Sequence, residues 1–379
     1  MGSPLSTLPD PRSRYQGRVI EMYFWACYPL PPSHLRGTAG SATPILRFLR
    51  PIRYSVFAVP LAEKALIAQI RAKARRDPAI RIGIGDDCAV LQLPRGHEAL
   101  LTTDFSLEDV HFRRSWHAPE VVGHRCLARG LSDIAAMGGE PLAAFLSLAL
   151  PARLPQNWVD RFLQGFLALA RQFRVPLAGG DTAQSPAGIL ADIVVLGSVP
   201  RGRAILRSGA RPGDSIYVTG ELGGGADALH RLYAGKRIKP EHYPRHFHPI
   251  PRIAIGLFLR EHRLATAMID LSDGLSTDLG HLCDESKVGA EILADSIPRA
   301  SVGRPVRTVD LKDALHGGDD YELLFTAPPR NQIPRRIAGV LITPIGRITR
   351  GKKIFLIGES GKRSLLKPQG WEHFRGRSR

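Results

Sequence analysis

The stretch IGIGDDCAV at residues 82–90 places two adjacent carboxylates, Asp86 and Asp87, between glycines and a short apolar run. Glycine lets a backbone approach a ligand closely, and neighbouring aspartates supply the hard oxygen ligands that Mg²⁺ prefers. A Gly-Asp-Asp sequence is also typical of an ordinary turn. Taken alone, the motif leaves both interpretations open.

Acidic residues recur in the same setting along the rest of the chain. They stand at Gly-rich or hydroxyl-rich turns beside apolar segments that read as strands: Asp86 and Asp87, Asp104, Asp181, Asp270 and Asp273, Asp319 and Asp320. Open sheets place ligand sites at strand ends, and so many acids can share a cleft only with cations. The pattern therefore predicts a nucleotide site that holds several Mg²⁺ ions.

Composition indicates a globular protein of more than one domain. The chain has 379 residues, 44% of them hydrophobic and 23% charged, which is enough for two domains with separate cores. Its apolar runs fall short of the about 18 residues that a membrane helix needs. Four cysteines without CxxC spacing predict neither a zinc ribbon nor a disulfide framework, and they fit a reducing cytoplasm.

The formal net charge of +17 raises the alternative of nucleic-acid binding. Residues 1–60 carry seven arginines against two acids, and residues 359–379 carry six basic residues against two acids, so the ends supply nine of the 17 charges. The body lacks a basic helix or an aromatic-interleaved RNA-binding signature. Anionic small molecules explain the remaining charge, whereas an RNA-binding module would show steep salt dependence and no turnover.

The order of patterns along the chain divides it into three parts. Residues 1–60 are rich in Pro, Arg, Ser and Gly without a sustained period, which predicts a disordered extension or a start upstream of the true one. Residues 61–200 form the predicted ATP- and Mg²⁺-binding domain. Residues 201–379 form a predicted α/β domain with a short basic tail, and the Gly-rich turn at 220–225 lacks P-loop spacing and is interpreted as structural.

Predicted elements place the motifs on this outline. An amphipathic helix is expected from Leu61, with further helices over 119–137 and 156–173. Strands are expected over 99–104, 145–150, 175–178, 189–199, 215–219, 323–326 and 354–357. Asp133 lies in the C-terminal half of its predicted helix, where an acid opposes the helix dipole, so either a partner or solvent must compensate its charge.

Seven motifs also occur in the order found in thiamine-monophosphate kinases, which the chain resembles over roughly residues 61–375. These are GIGDDCA (83–89), TTD (102–104) followed by His111-Phe112, LSDIAAMG (131–138), GGDT (179–182), GRAILRSG (202–209), IDLSDGL (269–275) and GGDDYEL (317–323). The resemblance implies transfer of the ATP γ-phosphoryl group to thiamine monophosphate, a step of thiamine diphosphate biosynthesis. It also implies the aminoimidazole ribonucleotide synthetase-like fold, in which an α+β N-terminal domain joins its sheet to a partner's across a homodimer and an α/β C-terminal domain closes the cleft.

The resemblance assigns site residues position by position. It implies Mg²⁺ ligands at Asp87, Thr102, Thr103, Asp104, Asp133, Asp181, Asp270 and Asp273. It implies ATP contacts at Gly180, Asp181, Arg207 and Ser272, and contacts to the acceptor substrate at His111, Asp319 and Trp371. Two positions depart from the commonest family pattern, because Asp319 stands where Glu is frequent and Trp371 where Tyr or Phe is frequent.

Two sibling functions of the same fold are disfavoured by the cysteines. A selenophosphate synthetase or a hydrogenase-maturation dehydratase needs a reactive cysteine early in a Gly-rich loop or at the C-terminus. Here Cys88 lies inside the acidic motif, and the last cysteine is Cys283. Because the acceptor phosphate is itself a nucleophile, no general base and no catalytic histidine are expected, and neither nucleic acid nor membrane is expected as a partner.

Overall fold

The structure is a computed structural model, and it describes residues 60–75 and 77–371. The predicted extension over residues 1–60 lies outside these ranges except for residue 60, and so does the basic end after residue 371. Within the described residues, two large sheets of four and eight strands form, one on each side of residue 200 in the sequence, together with two small two-stranded pairs. None of the described helices has the length and apolar character of a membrane-spanning segment.

The first half of the chain builds a four-stranded sheet covered by two long helices on one face. Its elements are α1 (Glu63–Lys73), β1 (Ile80–Ile82), β2 (Val90–Leu91), β3 (His97–Leu107), α2 (Pro119–Ala136), β4 (Glu140–Pro151), α3 (Gln156–Gln172), β5 (Leu177–Ser185) and β6 (Leu190–Pro200). The strand order is β3-β6-β4-β5, with β5 parallel to β4 and the other pairs antiparallel. Strands β1 and β2 form a separate antiparallel pair.

Helices α2 and α3 cross closely because glycines face each other's backbone. A Cβ atom at Gly123 of α2 would lie 2.0 Å from the carbonyl oxygen of Phe162, and one at Gly165 of α3 would lie 1.9 Å from that of Glu120. The crossing buries the apolar face of α3 that the sequence predicted, including Phe162 and Phe166. Helix α2 begins with Pro119 at its first position, where a missing N–H costs no hydrogen bond.

The second half of the chain builds a larger mixed sheet. Its elements are β7 (Ser215–Thr219), α4 (Gly224–Tyr233), α5 (Pro244–Phe247), α6 (Ile253–Glu261), β8 (Ala267–Asp270), α7 (Leu275–Ser286), β9 (Gly289–Leu293), β10 (Ser301–Val302), β11 (Arg307–Thr308), α8 (Leu311–His316), β12 (Leu323–Ala327), β13 (Arg336–Ile337), β14 (Val340–Thr349), β15 (Ile354–Ile357) and β16 (Arg363–Leu365). The order is β16-β15-β9-β14-β7-β12-β8, and β13 pairs with β14. Only β15 and β9 pair in parallel among these described strands.

The two halves share part of one core, which differs from the expectation of separate cores. The cluster that holds α2 and α3 continues into Ile253 of α6, Met268 of β8 and Phe325 of β12. A second cluster lies within the second half. The sharing arises because α2 is buried on nearly all sides, between the first sheet and the α6–β8 region.

Two predicted strand ends are wrong. Strand β3 runs on to Leu107 in register with β6, so Thr102, Thr103 and Asp104 lie within it. Strand β5 runs on to Ser185 beside β4, so Gly180 and Asp181 also lie within a strand. Backbone ladders continue through polar side chains because the backbone groups bond irrespective of side-chain type. Asp270, in contrast, is the last residue of β8, as predicted.

The predicted N-terminal helix is present but only weakly amphipathic. Helix α1 covers Glu63–Lys73, and Leu66 is its buried residue. Leu61, which the pattern placed on the apolar face, is 40% exposed, and Ala65 and Ala68 of the same pattern are also exposed. The apolar spacing therefore located the helix correctly and overstated how much of it is covered.

Candidate active site

A cavity of about 960 Å³ opens between the first sheet and the loops that lead into and out of the second. Strand β3, the C-terminal half of α2 and the turns that follow β8 and α8 line it, together with the start of α4. It brings together nine of the residues that the family resemblance assigned to the site: Thr103, Asp104, His111, Asp133, Asp270, Ser272, Asp273, Asp319 and Trp371. Residues up to 268 positions apart in the chain thus face one space.

Hydroxyl groups hold two of the cavity's carboxylates in place. The Thr102 hydroxyl of β3 donates a hydrogen bond to Asp133 of α2. The neighbouring Ser132 hydroxyl donates to Asp270 of β8 at 2.6 Å. Asp133, near the helix C-terminus, therefore has a specific hydrogen-bond partner, one of the two possibilities that the sequence left open.

The clustered carboxylates resist ionisation. Burial, reinforced by the charge of Asp133, raises the pKa of Asp104 to about 7 and that of Asp270 to about 7. Burial also raises the pKa of Asp133, while its bond from Thr102 and the charge of Arg207 oppose the increase. Such values are expected where several carboxylates share a space without a cation.

The donor set of this cluster fits a hard divalent cation. Asp104, Asp133, Asp270 and Asp273 offer carboxylate oxygens and no nitrogen or sulfur ligand, which is the preference of Mg²⁺ rather than Zn²⁺ or copper. The raised pKa values also fit a cation site, because a bound cation would favour the ionised forms that burial disfavours.

Five of the assigned residues lie outside the lining of this cavity: Asp87, Thr102, Gly180, Asp181 and Arg207. Asp87 is exposed in the loop between β1 and β2, and Asp181 is exposed on β5. Gly180 has a positive φ of 146°, and a Cβ at this position would lie 1.8 Å from the carbonyl oxygen of Leu146. The pairing of β5 with β4 is therefore enough to require glycine here, whether or not a ligand binds. Arg207 lies near the acid cluster, since its charge opposes the rise in the pKa of both Asp133 and Asp270.

Elsewhere in the cavity lining, Asp319 is held by two arginines of α2. Arg125 Nη2 donates to Asp319 Oδ2 at 2.9 Å, Arg129 Nη2 lies 3.5 Å from Oδ1, and the Tyr321 hydroxyl donates to Oδ1 at 2.7 Å. Burial opposes ionisation, but the two arginines hold the pKa of Asp319 well below its usual range. Asp319 is therefore a fixed anion.

The other two assigned acceptor contacts also line the cavity. His111 Nδ1 accepts a hydrogen bond from the backbone N–H of Leu107 at 3.0 Å, which fixes the ring. The backbone N–H of Trp371 donates to the Asp273 carbonyl at 3.1 Å, and the Trp371 side chain is 54% exposed at the cavity edge.

Sequence reasoning missed four side chains at this site: Arg125, Arg129, Asp192 and Asp278. Asp192 of β6 accepts a hydrogen bond from Thr103 at 2.8 Å, and Asp278 accepts the backbone N–H groups of Asp273 and Gly274 at the start of α7. A signal for the arginines was present, because Arg125, Arg129 and Asp133 are spaced i, i+4, i+8 and share one face of α2. No comparable signal marks Asp192, which reaches Thr103 only through strand pairing.

Comparison with known proteins identifies the class of this architecture. The family model for the N-terminal domain of AIR synthase related proteins matches residues 85–199, and the model for their C-terminal domain matches residues 211–359. The chain is thus a member of the AIR synthase related proteins, with both of their domains.

Closer relatives narrow this class to one family. Thiamine-monophosphate kinase of Salmonella typhimurium is 37% identical over 326 residues, which cover 82% of this chain and 98% of that protein. The crystal structure of thiamine-monophosphate kinase from Stenotrophomonas maltophilia K279a has a TM-score of 0.69 at 37% identity, covering 80% and 98% of the two chains. AaThiL complexed with AMPPCP and TMP has a TM-score of 0.66 at 33% identity, covering 82% and 96%. The chain belongs to the thiamine-monophosphate kinase family, which confirms the resemblance seen in the motifs.

Proposed function

We propose that this protein transfers the γ-phosphoryl group of ATP to thiamine monophosphate and releases thiamine diphosphate and ADP. Family membership supports the reaction, and a relative has been solved with AMPPCP and TMP. The observation that carries the proposal is a cavity whose lining holds both the acid cluster and the three assigned acceptor contacts, Asp319, His111 and Trp371. A phosphoryl donor held at the acids can meet an acceptor held by the other three residues in the same space.

The proposed roles follow the family assignment. Mg²⁺ ions would be held by Asp87, Thr102, Thr103, Asp104, Asp133, Asp181, Asp270 and Asp273, and ATP would contact Gly180, Asp181, Arg207 and Ser272. When bound, Mg²⁺ supplies the positive charge that offsets the phosphate oxygens and the clustered carboxylates. The acceptor would contact His111, Asp319 and Trp371.

The chemistry needs orientation and charge rather than a general base. The second pKa of a phosphate monoester is about 6, so the acceptor oxygen is already ionised near neutral pH. That oxygen forms the new bond to the γ-phosphorus as the bond to the β-bridging oxygen breaks, and ADP carries away the electron pair. The protein's contribution is to hold the two polyanions in line and to screen their repulsion, in which Arg207 takes part.

On the acceptor side, Trp371 offers an aromatic face to the cationic thiazolium ring. Asp319 is one methylene shorter than the more frequent Glu, and both of its oxygens already accept hydrogen bonds from Arg125 and Tyr321. We propose that Asp319 acts as a fixed negative charge facing the thiazolium rather than as a mobile ligand.

Direct transfer can be tested by incubation with γ-labelled ATP and Mg²⁺ in the absence of acceptor. No label is expected on the protein, and addition of thiamine monophosphate should convert the label to thiamine diphosphate. Stoichiometric label retained covalently on the protein would overturn direct transfer. ADP release with a panel of phosphate acceptors tests the choice of acceptor.

The cysteines argue against the sibling reactions considered from the sequence. Burial raises the pKa of both the Cys126 and the Cys283 thiols to about 12, so these two groups are protonated and unreactive at neutral pH. Cys88 is exposed within the acidic loop. Neither of the buried thiols can serve as the nucleophile that those reactions need.

We also propose that the protein is a cytoplasmic homodimer. The face of the first sheet opposite α2 and α3 presents large apolar side chains, with Leu101 71% exposed and Phe105 55% exposed. We call the outward-facing residues of β3, Leu101, Thr103 and Phe105, the outer face. A second copy of this chain would cover it, in keeping with the sheet pairing implied by the family. An ATP-consuming enzyme with unpaired thiols fits the reducing cytoplasm.

A further inference from the structure

Arg129 projects from α2 into the cavity. Its side chain is 10% exposed and belongs to the cavity lining. Nη1 donates to the carbonyl oxygen of Phe105 on β3 at 3.0 Å, while Nη2 lies 3.5 Å from Asp319. The charge of Arg129 also favours the ionised form of Asp104 in the acid cluster. The guanidinium thus contacts both Asp319 and the part of β3 that carries Asp104.

The hydrogen-bonding capacity of Arg129 is not used up by the protein. Its buried Nε–H finds no acceptor among the described residues, and its contact to Asp319 is at the long limit of a hydrogen bond. A buried donor of a charged group that stays unpaired is costly, and such groups are uncommon in folded proteins. The unpaired donor indicates that an acceptor oxygen from a ligand occupies this part of the cavity.

Neutralising Asp319 does not require Arg129. Arg125, one helical turn earlier, binds the same carboxylate at 2.9 Å, and its side chain is 4% exposed. Arg125 Nη1 donates to the His246 carbonyl oxygen. The two arginines therefore differ, because Arg125 is committed to protein partners and Arg129 keeps a donor for a ligand.

We propose that Arg129 binds the phosphate of the acceptor substrate and holds it beside the γ-phosphoryl group. This inference rests on the proposed function. An acceptor whose cationic ring lies near Asp319 must bring its phosphate to the acid cluster, and Arg129 contacts both Asp319 and Phe105, the neighbour of Asp104. A planar guanidinium suits phosphate oxygens, and a cation at this point offsets the repulsion between two polyanions.

The test compares two ligands that differ only in the phosphate, thiamine monophosphate and thiamine, by calorimetric titration in Mg²⁺ buffer without nucleotide. Arg129→Gln should weaken thiamine monophosphate binding by about 10- to 100-fold, the range for one charge-assisted contact, and should change thiamine binding by less than about 3-fold. Arg129→Lys, which keeps the charge but loses the fork, should fall between Arg129→Gln and the unmodified protein.

Arg125→Lys is the matched control, because it disturbs Asp319 without touching the proposed phosphate site. It should weaken both ligands by the same factor. Thermal unfolding of each variant shows whether it is folded, and Arg129→Lys provides the measurement if Arg129→Gln does not fold. An equal loss for both ligands in the Arg129 variants, or no loss for either, would overturn the inference while leaving the proposed function intact. Failure of the unmodified protein to bind either ligand would overturn both.

Discussion

At the scale of single residues, the site is a set of carboxylates whose ionised forms are disfavoured by burial and by one another. Asp104, Asp133 and Asp270 are buried close together, and their pKa values are raised because each ionised form is poorly solvated and repelled by its neighbours. These carboxylates therefore lower the free energy of unfolding of the metal-free protein at neutral pH, although the proposed reaction uses them. Neutralising one of them should separate folding from function.

Asp133→Asn is expected to lower kcat by on the order of 10² or more, because it removes an oxygen ligand at the centre of the cluster. The same change should leave folding intact and raise the midpoint of thermal unfolding in EDTA, since it removes a repelled charge from the buried cluster. Steady-state kinetics with saturating Mg²⁺ and a melting curve in EDTA measure the two effects. A parallel loss of activity and of metal-free stability would contradict this account. The sequence predicted a similar loss of kcat for Asp87→Asn.

The stabilisation by Mg²⁺ should grow with pH. The carboxyls of Asp104 and Asp270 have folded pKa values of about 7 against an ordinary 3.8, so their contribution to metal-free stability is present at low pH and is lost as the pH rises through 7. Mg²⁺ binds the ionised forms. The rise in Tm on adding Mg²⁺ should therefore be small near pH 5 and large near pH 8, and a pH-independent shift would refute the assignment of these ligands.

Buried histidines act in the opposite direction and must be separated from this effect. Burial lowers the pKa of His117 to about 4, so its contribution to stability is lost as the pH falls from 6.5 through 4. Its Nε2 lies 3.0 Å from that of His246, and the charges that act on its pKa are those of Arg125 and Asp319 rather than of the acid cluster. The loss is common to samples with and without Mg²⁺, so the difference between their melting curves cancels it.

At the scale of elements, α2 organises the site. One helix carries Arg125 and Arg129 toward Asp319, Ser132 toward Asp270, and Asp133 toward Thr102. Its position is set on the other side by the close crossing with α3. A disturbance of that crossing should therefore reach the site.

Gly123→Ala and Gly165→Ala should each destabilise the protein by about 1–3 kcal/mol or more, because the added methyl group has no room against the facing backbone. Gly280→Ala in α7 is the control, since its Cβ would meet its nearest neighbour, Pro368, at 3.7 Å. That change should be neutral or stabilising by up to about 1 kcal/mol, through helix propensity. Urea unfolding measures all three, and equal effects would show that the crossing tolerates a larger separation.

At the scale of the whole molecule, the proposed homodimer would bury the outer face of the first sheet. Leu101→Glu should convert the proposed dimer to a monomer, because a charge at the centre of an apolar contact cannot be desolvated cheaply. Leu365→Glu on β16, a residue that is 48% exposed, should leave the assembly unchanged. Light scattering coupled to size-exclusion chromatography measures the mass, and a dimer that survives Leu101→Glu would exclude this face as the interface.

Removal of residues 1–60 should leave both Tm and kcat essentially unchanged. The segment precedes the first motif and α1, and its sequence has no sustained apolar period. Expression of the shortened chain beside the full chain provides the comparison. A large loss of turnover in the shortened chain would assign the segment a role that its composition does not predict.

The amino-acid sequence by itself determined which chemistry is present and in what order. The acids, glycines and hydroxyls of the seven motifs identified the family, and apolar periodicity located α2, α3 and β7, because both signals are local to a few neighbouring residues. The tertiary structure decided which of these residues meet. Ser132 and Asp270 are 138 positions apart, and Arg125 and Asp319 are 194 apart, so only strand register and helix packing bring them into contact. The same register carried β3 and β5 beyond their predicted ends, because backbone hydrogen bonding continues past the side chains that mark a motif.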